Sequence, residues 1–273
     1  MKSTQISKNG KIKNLEITRN KLVKDFDINS RDLRPIFMSN QLSTILIRDD
    51  CMIINLGVIK MVVGADSAYL LNHEIKNTVI NNFIDELEAK INSAKNSEEK
   101  NYPFEFIALE ACLNNRFEQL TSDYNSIQHK INTMLNKLKD NYSEDVLENL
   151  LTIKKQFSKT ETRVQETQQA IAELLEDEED LEKMCLSARE LSTEEKEENI
   201  DEIESILENY FEQMEDVSHK IIELKSNIDD TQDIVTLKLA NVRNAIIRFD
   251  LITSVVSTIF GLGAVITGMY GMN

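Results

Sequence analysis

The hydrophobic positions of this chain change period after its first seventy residues. Lys11–Thr18 (KIKNLEIT) alternates apolar and polar positions and predicts a strand, followed by a short helix at Asn20–Phe26. Ser43–Arg48, Met52–Leu56, Val58–Val63 and Ser67–Leu71 are rich in Ile, Val and Leu and predict four more strands. Asp49-Asp50, Gly57 and Gly64-Ala65-Asp66 separate them as turns. Connections this short favour an antiparallel meander, because parallel neighbours need long crossovers. Ile75, Val79, Ile80, Phe83, Ile84, Leu87 and Ile91 then recur at helical spacing, and polar Ser93–Asn101 predicts an exposed loop.

From Pro103 onward the pattern is helical. Phe117, Leu120, Tyr124, Ile127, Ile131, Met134 and Leu138 advance in steps of three and four. After a turn at Asp140–Glu144, the same steps resume through Val146, Leu150, Ile153, Phe157, Thr160, Val164, Thr167, Ile171 and Leu174. Two amphipathic helices so closely joined predict an antiparallel hairpin. Ser192-Thr193-Glu194-Glu195 reads as a capping box opening a third helix. Its apolar series, from Ile200 and Ile203 to Val242 and Phe249, continues in phase through Ile252, Val256, Ile259 and Ile266. No Pro or Gly interrupts it before Gly261, so one helix of ~115 Å is expected. The fold class is α+β: an N-terminal α/β domain with an antiparallel sheet (1–113), a helical hairpin (114–190), a coiled-coil-like stalk helix (191–250) and a transmembrane helix (251–273).

The charge distribution sharpens this division. Of 31 Lys/Arg and 47 Asp/Glu, residues 1–60 hold eleven and six, so the acidity lies further on. A net charge of −16 argues against a nucleic-acid partner, which needs a basic face. Leu251–Asn273 contains no charged residue at all. As a helix its 23 residues span about 34 Å, enough for a hydrocarbon core of ~30 Å. Lys238, Arg243 and Arg248 precede the span, and the positive-inside rule places residues 1–250 in the cytosol or an organelle matrix. Cys51, Cys112 and Cys185 are too far apart for a zinc motif and odd in number, which fits a reducing compartment. His73, His129 and His219 lack ligand spacing. With no nucleophile–base pair and no Gly-rich phosphate loop, the chain reads as no enzyme and calls for no cofactor.

Two features carry candidate chemistry. Stepping from Arg243 by four and three meets Ile247, Asp250, Ser254, Ser257, Gly261, Ala264, Gly268 and Gly271. From 254 on, every member is small or hydroxylic, while Val255, Val256, Ile259, Phe260, Leu262 and Ile266 lie off the stripe. Such a stripe serves either close helix packing or a pore lining in which hydroxyls and carbonyls meet water. The second feature is acidic: fifteen Asp/Glu lie between Glu173 and Glu204, concentrated at Glu176, Asp177, Glu178, Glu179 and Asp180. It is either a solvated face or a divalent-ion sensor in which carboxylates repel until a cation bridges them.

The chain ends Tyr270-Gly271-Met272-Asn273, with Gly-Met-Asn directly after the apolar span. This resembles the signature of the CorA superfamily of magnesium channels. Arg31-Asp32-Leu33-Arg34 before Ser43–Leu46, Pro103-Phe104-Glu105-Phe106-Ile107-Ala108-Leu109-Glu110, the acidic corner Leu174–Asp180 with Met184 and Leu186-Ser187, and juxtamembrane Arg243-Asn244 with Ile247-Arg248 resemble its mitochondrial and plant magnesium-transporter branch. The resemblance implies a homopentamer passing Mg²⁺, with five stalk helices lining one pore. Gly271, Met272 and Asn273 would then form the outer selectivity ring, and Ile247, Asp250, Ser254, Ser257, Gly261, Ala264 and Gly268 the lining. It also implies a second transmembrane helix after Gly-Met-Asn, and the sequence stops before it: either the natural chain continues past Asn273, or its topology is incomplete. The branch implies the mitochondrial inner membrane, with another internal membrane or the plasma membrane as alternatives. The rival reading is a membrane-anchored coiled-coil tether or fusion protein, which accounts for the heptads and the anchor but not for the β-rich domain or the Gly-Met-Asn ending. The coding sequence after Asn273 separates the two.

Overall fold

The computed structural model describes residues 2–37, 42–71, 78–96, 102–140, 144–190 and 193–271. Six strands form one antiparallel sheet: β1 (Lys2–Ser7), β2 (Ile12–Glu16), β3 (Thr44–Arg48), β4 (Cys51–Leu56), β5 (Ile59–Val63) and β6 (Ser67–Leu71), in the order β2-β1-β6-β5-β4-β3. The expected meander is β3 to β6, and the β1–β2 hairpin joins it by pairing Ser3 with Leu71 and Ser7 with Ser67.

Strand β1 was not anticipated, because Ile6 is its single strongly apolar residue. It is held by hydrogen bonds instead: both its edges are paired, and Ser3 and Thr4 are buried. Ser3 Oγ donates to the Leu15 carbonyl at 3.1 Å, and Gln5 Nε2 donates to the Tyr69 hydroxyl at 3.0 Å. Strand β5 starts at Ile59 rather than Val58, because Gly57 and Val58 make the β4–β5 turn, with Gly57 at φ +73°.

The short helices α1 (Arg19–Asp25) and α2 (Arg34–Phe37) cover one face of the sheet. Leu22, Phe26, Leu33 and Ile36 pack there with Cys51, Ile53, Val62, Tyr69 and Leu71. Met52, Ile54, Met61 and Leu70, of opposite parity, are buried too, so β4 shows no alternation. Helix α3 (Thr78–Asn96) buries Ile80, Phe83, Leu87 and Ile91. It carries the chain helically through Ser93–Asn96, where a loop was expected, since the 3.6-residue turn needs no apolar residue in its exposed last turn.

The remaining elements are helical: α4 (Phe104–Asp140), α5 (Glu144–Leu175), α6 (Glu178–Met184), a 3₁₀ turn (Leu186–Glu190) and α7 (Thr193–Gly271). Helices α4 and α5 run antiparallel, since Asp123 pairs with Arg163 at 3.2 Å while Arg116 bonds Thr167. The chain divides into two compact units, 1–129 with 152–221 and 130–151 with 222–273. They cut across the boundaries at 113, 190 and 250 because α4, α5 and α7 each contribute to both. In the first, Ile203, Leu207, Tyr210, Met214 and Val217 of α7 are buried, as are Phe157, Val164 and Ile171 of α5. In the second, Ile131, Met134, Leu224, Ile228 and Val235 are buried, and every residue of 236–271 is exposed.

A buried arginine ties sheet and helices together in the first unit. Arg116 of α4 is 4% exposed and donates from Nε to Thr167 Oγ1 and from Nη2 to Ser43 Oγ, both at 3.1 Å. Burial, then the like charge of Arg163, pulls its guanidinium down to about 10. A Cβ on Gly57 would stand 2.6 Å from its Nη1.

Candidate functional site

Helix α7 places the stripe on one face by spacing alone. Arg243, Ile247, Asp250, Ser254, Ser257, Gly261, Ala264, Gly268 and Gly271 follow at steps of three and four and are exposed throughout. Gly271 is the last residue of α7, and Met272 and Asn273 lie outside the described residues. Gly261, Gly263, Gly268 and Gly271 have open space where a Cβ would go, so nothing among the described residues requires them to be small. Thr253, Thr258 and Thr267, off the stripe, donate their hydroxyls to the carbonyls of Phe249, Ser254 and Gly263 at 2.9–3.0 Å. That bonding satisfies their hydroxyls within the helix itself, whereas Ser254 and Ser257 stand on the stripe. Juxtamembrane Arg243 and Arg248 are exposed as well.

The acidic corner is the α5–α6 junction. Helix α5 stops at Leu175, and Asp177 caps α6, accepting from the backbone N–H groups of Glu179 at 3.0 Å and Asp180 at 3.2 Å. Glu178, Glu179 and Asp180 fill the first turn, where the helix dipole favours acids, and Lys183 pairs with Glu179 at 2.6 Å. Glu176 through Glu179 are exposed, and Asp180 is half-buried where α6 packs on β3. Burial, then the charge of Asp177, raises the Asp180 carboxyl above its ordinary range, against the pull of Lys183 and Arg48. Among the described residues no three Asp, Glu, His or Cys side chains converge to hold a metal ion. The corner has a structural occupation within one chain, so a bridging ion there needs acids from another.

Sequence reasoning passed over Glu105, which entered only as a letter in the Pro-Phe-Glu-Phe segment. It is fully buried, and its Oε1 accepts from the backbone N–H of Ser187 at 2.7 Å and from the Ser187 hydroxyl at 2.6 Å. The bonds clamp the start of α4 to the 3₁₀ turn before α7. No local signal announces them, because 82 residues separate the partners. The three cysteines are buried free thiols, and burial pushes Cys51 and Cys185 up to about 12, which makes both inert.

A sheet domain feeding long helices, the last with a wholly exposed apolar end of mean hydropathy 1.9 over 18 residues, is the architecture of a CorA-type membrane protein. The complete CorA magnesium transporter of Methanocaldococcus jannaschii superposes with a TM-score of 0.58 at 18% identity, covering 100% of this chain and 87% of that one. The family model described as "Magnesium transporter MRS2-like" matches residues 2–243, and the chain belongs to that family. The chloroplast magnesium transporter MRS2-11 of Arabidopsis thaliana is 25% identical over 98% of this chain and 62% of its own length. The mitochondrial inner membrane magnesium transporter mrs2 of Aspergillus fumigatus is 27% identical over 100% of this chain and 46% of its own. The chain thus spans less than two thirds of the length of these two relatives. It is an integral membrane protein, and the C-terminal part of α7 is long and apolar enough to cross a membrane.

Proposed function

We propose that the chain acts in Mg²⁺ transport across a membrane, with α7 helices of a homopentamer surrounding the ion path. The observation that carries this reading is the set of α7 glycines that no contact among the described residues explains. Helices brought together along that face would meet at its small residues and leave an opening bordered by Ser254, Ser257 and backbone carbonyls. Asp250 at the inner end supplies charge that attracts a cation. At the outer end, Gly271 carbonyls and Asn273 side-chain oxygens form a ring of acceptors for the waters of a hydrated ion. Mg²⁺ sheds those waters reluctantly, so such a ring selects by hydrated size and charge without stripping the shell. The membrane potential drives entry with ~4.6 kcal/mol per 100 mV for a divalent ion, twice the single-charge value. Residues 1–250 face the matrix or cytosol, the mitochondrial inner membrane being the assignment favoured by the fungal relative. The corner Glu176–Asp180 is the regulatory element, bridged by Mg²⁺ against acids of a neighbouring subunit.

The test is Mg²⁺ uptake by cells or liposomes carrying the full-length natural protein. Asn273→Ala should abolish uptake at normal protein levels, and Gly261→Leu, which meets nothing in its own chain, should do the same by filling the path. Wild-type uptake in both variants would refute the ion path along this face, and absence of uptake by the natural protein itself would leave the tether reading in place.

A further inference from the structure

The small-residue stripe has a counterpart on the far side of α7. Stepping by four and three from Arg248 meets Ile252, Val255, Ile259, Leu262, Ile266 and Met269, every one bulky, apolar and exposed. Two positions at ~100° each separate Arg248 from Asp250 of the stripe, so the two stand on opposite sides of the helix. Small residues mark where helices meet in a membrane, which leaves the bulky face to lipid, with Arg248 at its inner end. Tyr270 lies ~33 Å further along the axis, a little more than a hydrocarbon core of ~30 Å. With Tyr270 in one headgroup layer, where tyrosines gather, Arg248 reaches the other.

At that level the charge of Arg248 has no counterpart in its own helix. The positions three and four away hold Asn244, Ala245, Leu251 and Ile252, none of them acidic, and residues two apart, such as Asp250, do not face it. Arg248 is exposed and makes no ion pair among the described residues. An uncompensated guanidinium beside a hydrocarbon layer is costly, and its planar fork of donors matches the oxygens of a phosphate. Asn244 and Asn241, at steps of four and three back from Arg248, bring amide donors to the same face and are exposed as well. Arg243 stands on the stripe instead, and Lys238 lies further from the span.

We propose that Arg248, with Asn244 and Asn241, binds the phosphate of an anionic phospholipid in the inner headgroup layer and so fixes the depth of α7 in the membrane. The site takes from the reading above only the span and the side of α7 that faces other helices. The test is lipid retention by the full-length natural protein, reconstituted in vesicles of equal parts phosphatidylglycerol and phosphatidylcholine, extracted and weighed by native mass spectrometry. Wild type should retain phosphatidylglycerol in preference. R248Q should weaken that preference about fivefold, the equivalent of ~1 kcal/mol for one basic residue at an anionic surface, while R243Q, the same charge change on the stripe, leaves it intact. No loss in R248Q, or an equal loss in R243Q, overturns the proposal. So does displacement of the lipid by excess inorganic phosphate, which would make the ligand a free anion, and so does equal retention of the two lipids by wild type, which would give this face to another protein segment. Should R248Q fail to insert, K238Q/R243Q decides alone: it leaves Arg248 as the last of the three basic residues before the span and must keep the preference. A wild-type chain that does not float with the vesicles removes the span and the site together. A chain that takes up Mg²⁺ without lipid preference loses only the site, and one with the preference but no uptake loses only the transport reading.

Discussion

Asp177 offers the cleanest separation of structure from ion sensing in the acidic corner. It lies in extended conformation (φ −112°, ψ 96°) before a helix of seven residues and satisfies two of that helix's backbone donors. Asp177→Ala removes both acceptors and should cost about 1 kcal/mol, the usual loss for an N-cap. In a folded unit of this size that lowers Tm by about 2–4 °C. Asp177→Asn keeps an oxygen in the same place and removes only the charge. The dipole then loses a few tenths of a kcal/mol, partly offset by relief from Glu178, Glu179 and Asp180, so Tm should stay within about 1–2 °C of wild type. The assay is thermal unfolding of the full chain in detergent, with and without Mg²⁺. If Asp177 only caps, the Mg²⁺ midpoint for protease protection is the same in all three proteins. If it also meets an ion across a subunit contact, Asn shifts that midpoint while leaving Tm in place. Equal destabilisation by Ala and Asn would refute the cap argument, and a wild-type Tm for Ala would refute it outright.

Two further predictions follow from packing and titration. Gly57→Ala places a Cβ at positive φ and 2.6 Å from the buried Arg116 guanidinium, so strain and displacement of that side chain should cost at least 2 kcal/mol in urea unfolding; a loss under ~0.5 kcal/mol would show that Arg116 moves freely. The hydrogen bond from Arg48 at 2.8 Å lowers the Asp32 carboxyl below its ordinary 3.8. That stability is present above the unfolded value and lost as pH falls through the folded one, so the gap between wild type and Arg48→Met should be full at pH 7 and close below about pH 4; a gap independent of pH would exclude the pair as its source.

The long elements were legible in the sequence because their information is local. An apolar residue every three or four positions from Ile200 to Ile228, continued with Thr231 and Lys238 as gaps to Phe249, states which face of α7 is buried or partnered, and the absence of Pro and early Gly states that nothing ends it. Ile, Val and Leu runs between the Asp49-Asp50, Gly57 and Gly64-Ala65-Asp66 turns marked β3 to β6 in the same way. The small-residue stripe was legible too, since spacing alone puts Ser254, Ser257, Gly261 and Gly268 on one face. Periodicity names a buried face but never its partner. Only the fold placed polar β1 between β2 and β6, where its backbone is satisfied from both sides. Only the fold turned Arg116 into a buried tie between Ser43 and Thr167 and gave Glu105 to Ser187, across separations of 51 to 82 residues. It also assigned Asp177 a cap within what reads in sequence as an undifferentiated acidic run. A charged side chain carries no local mark of whether it will be solvated, paired or left facing a cavity. That depends on which distant backbone the packed core brings beside it.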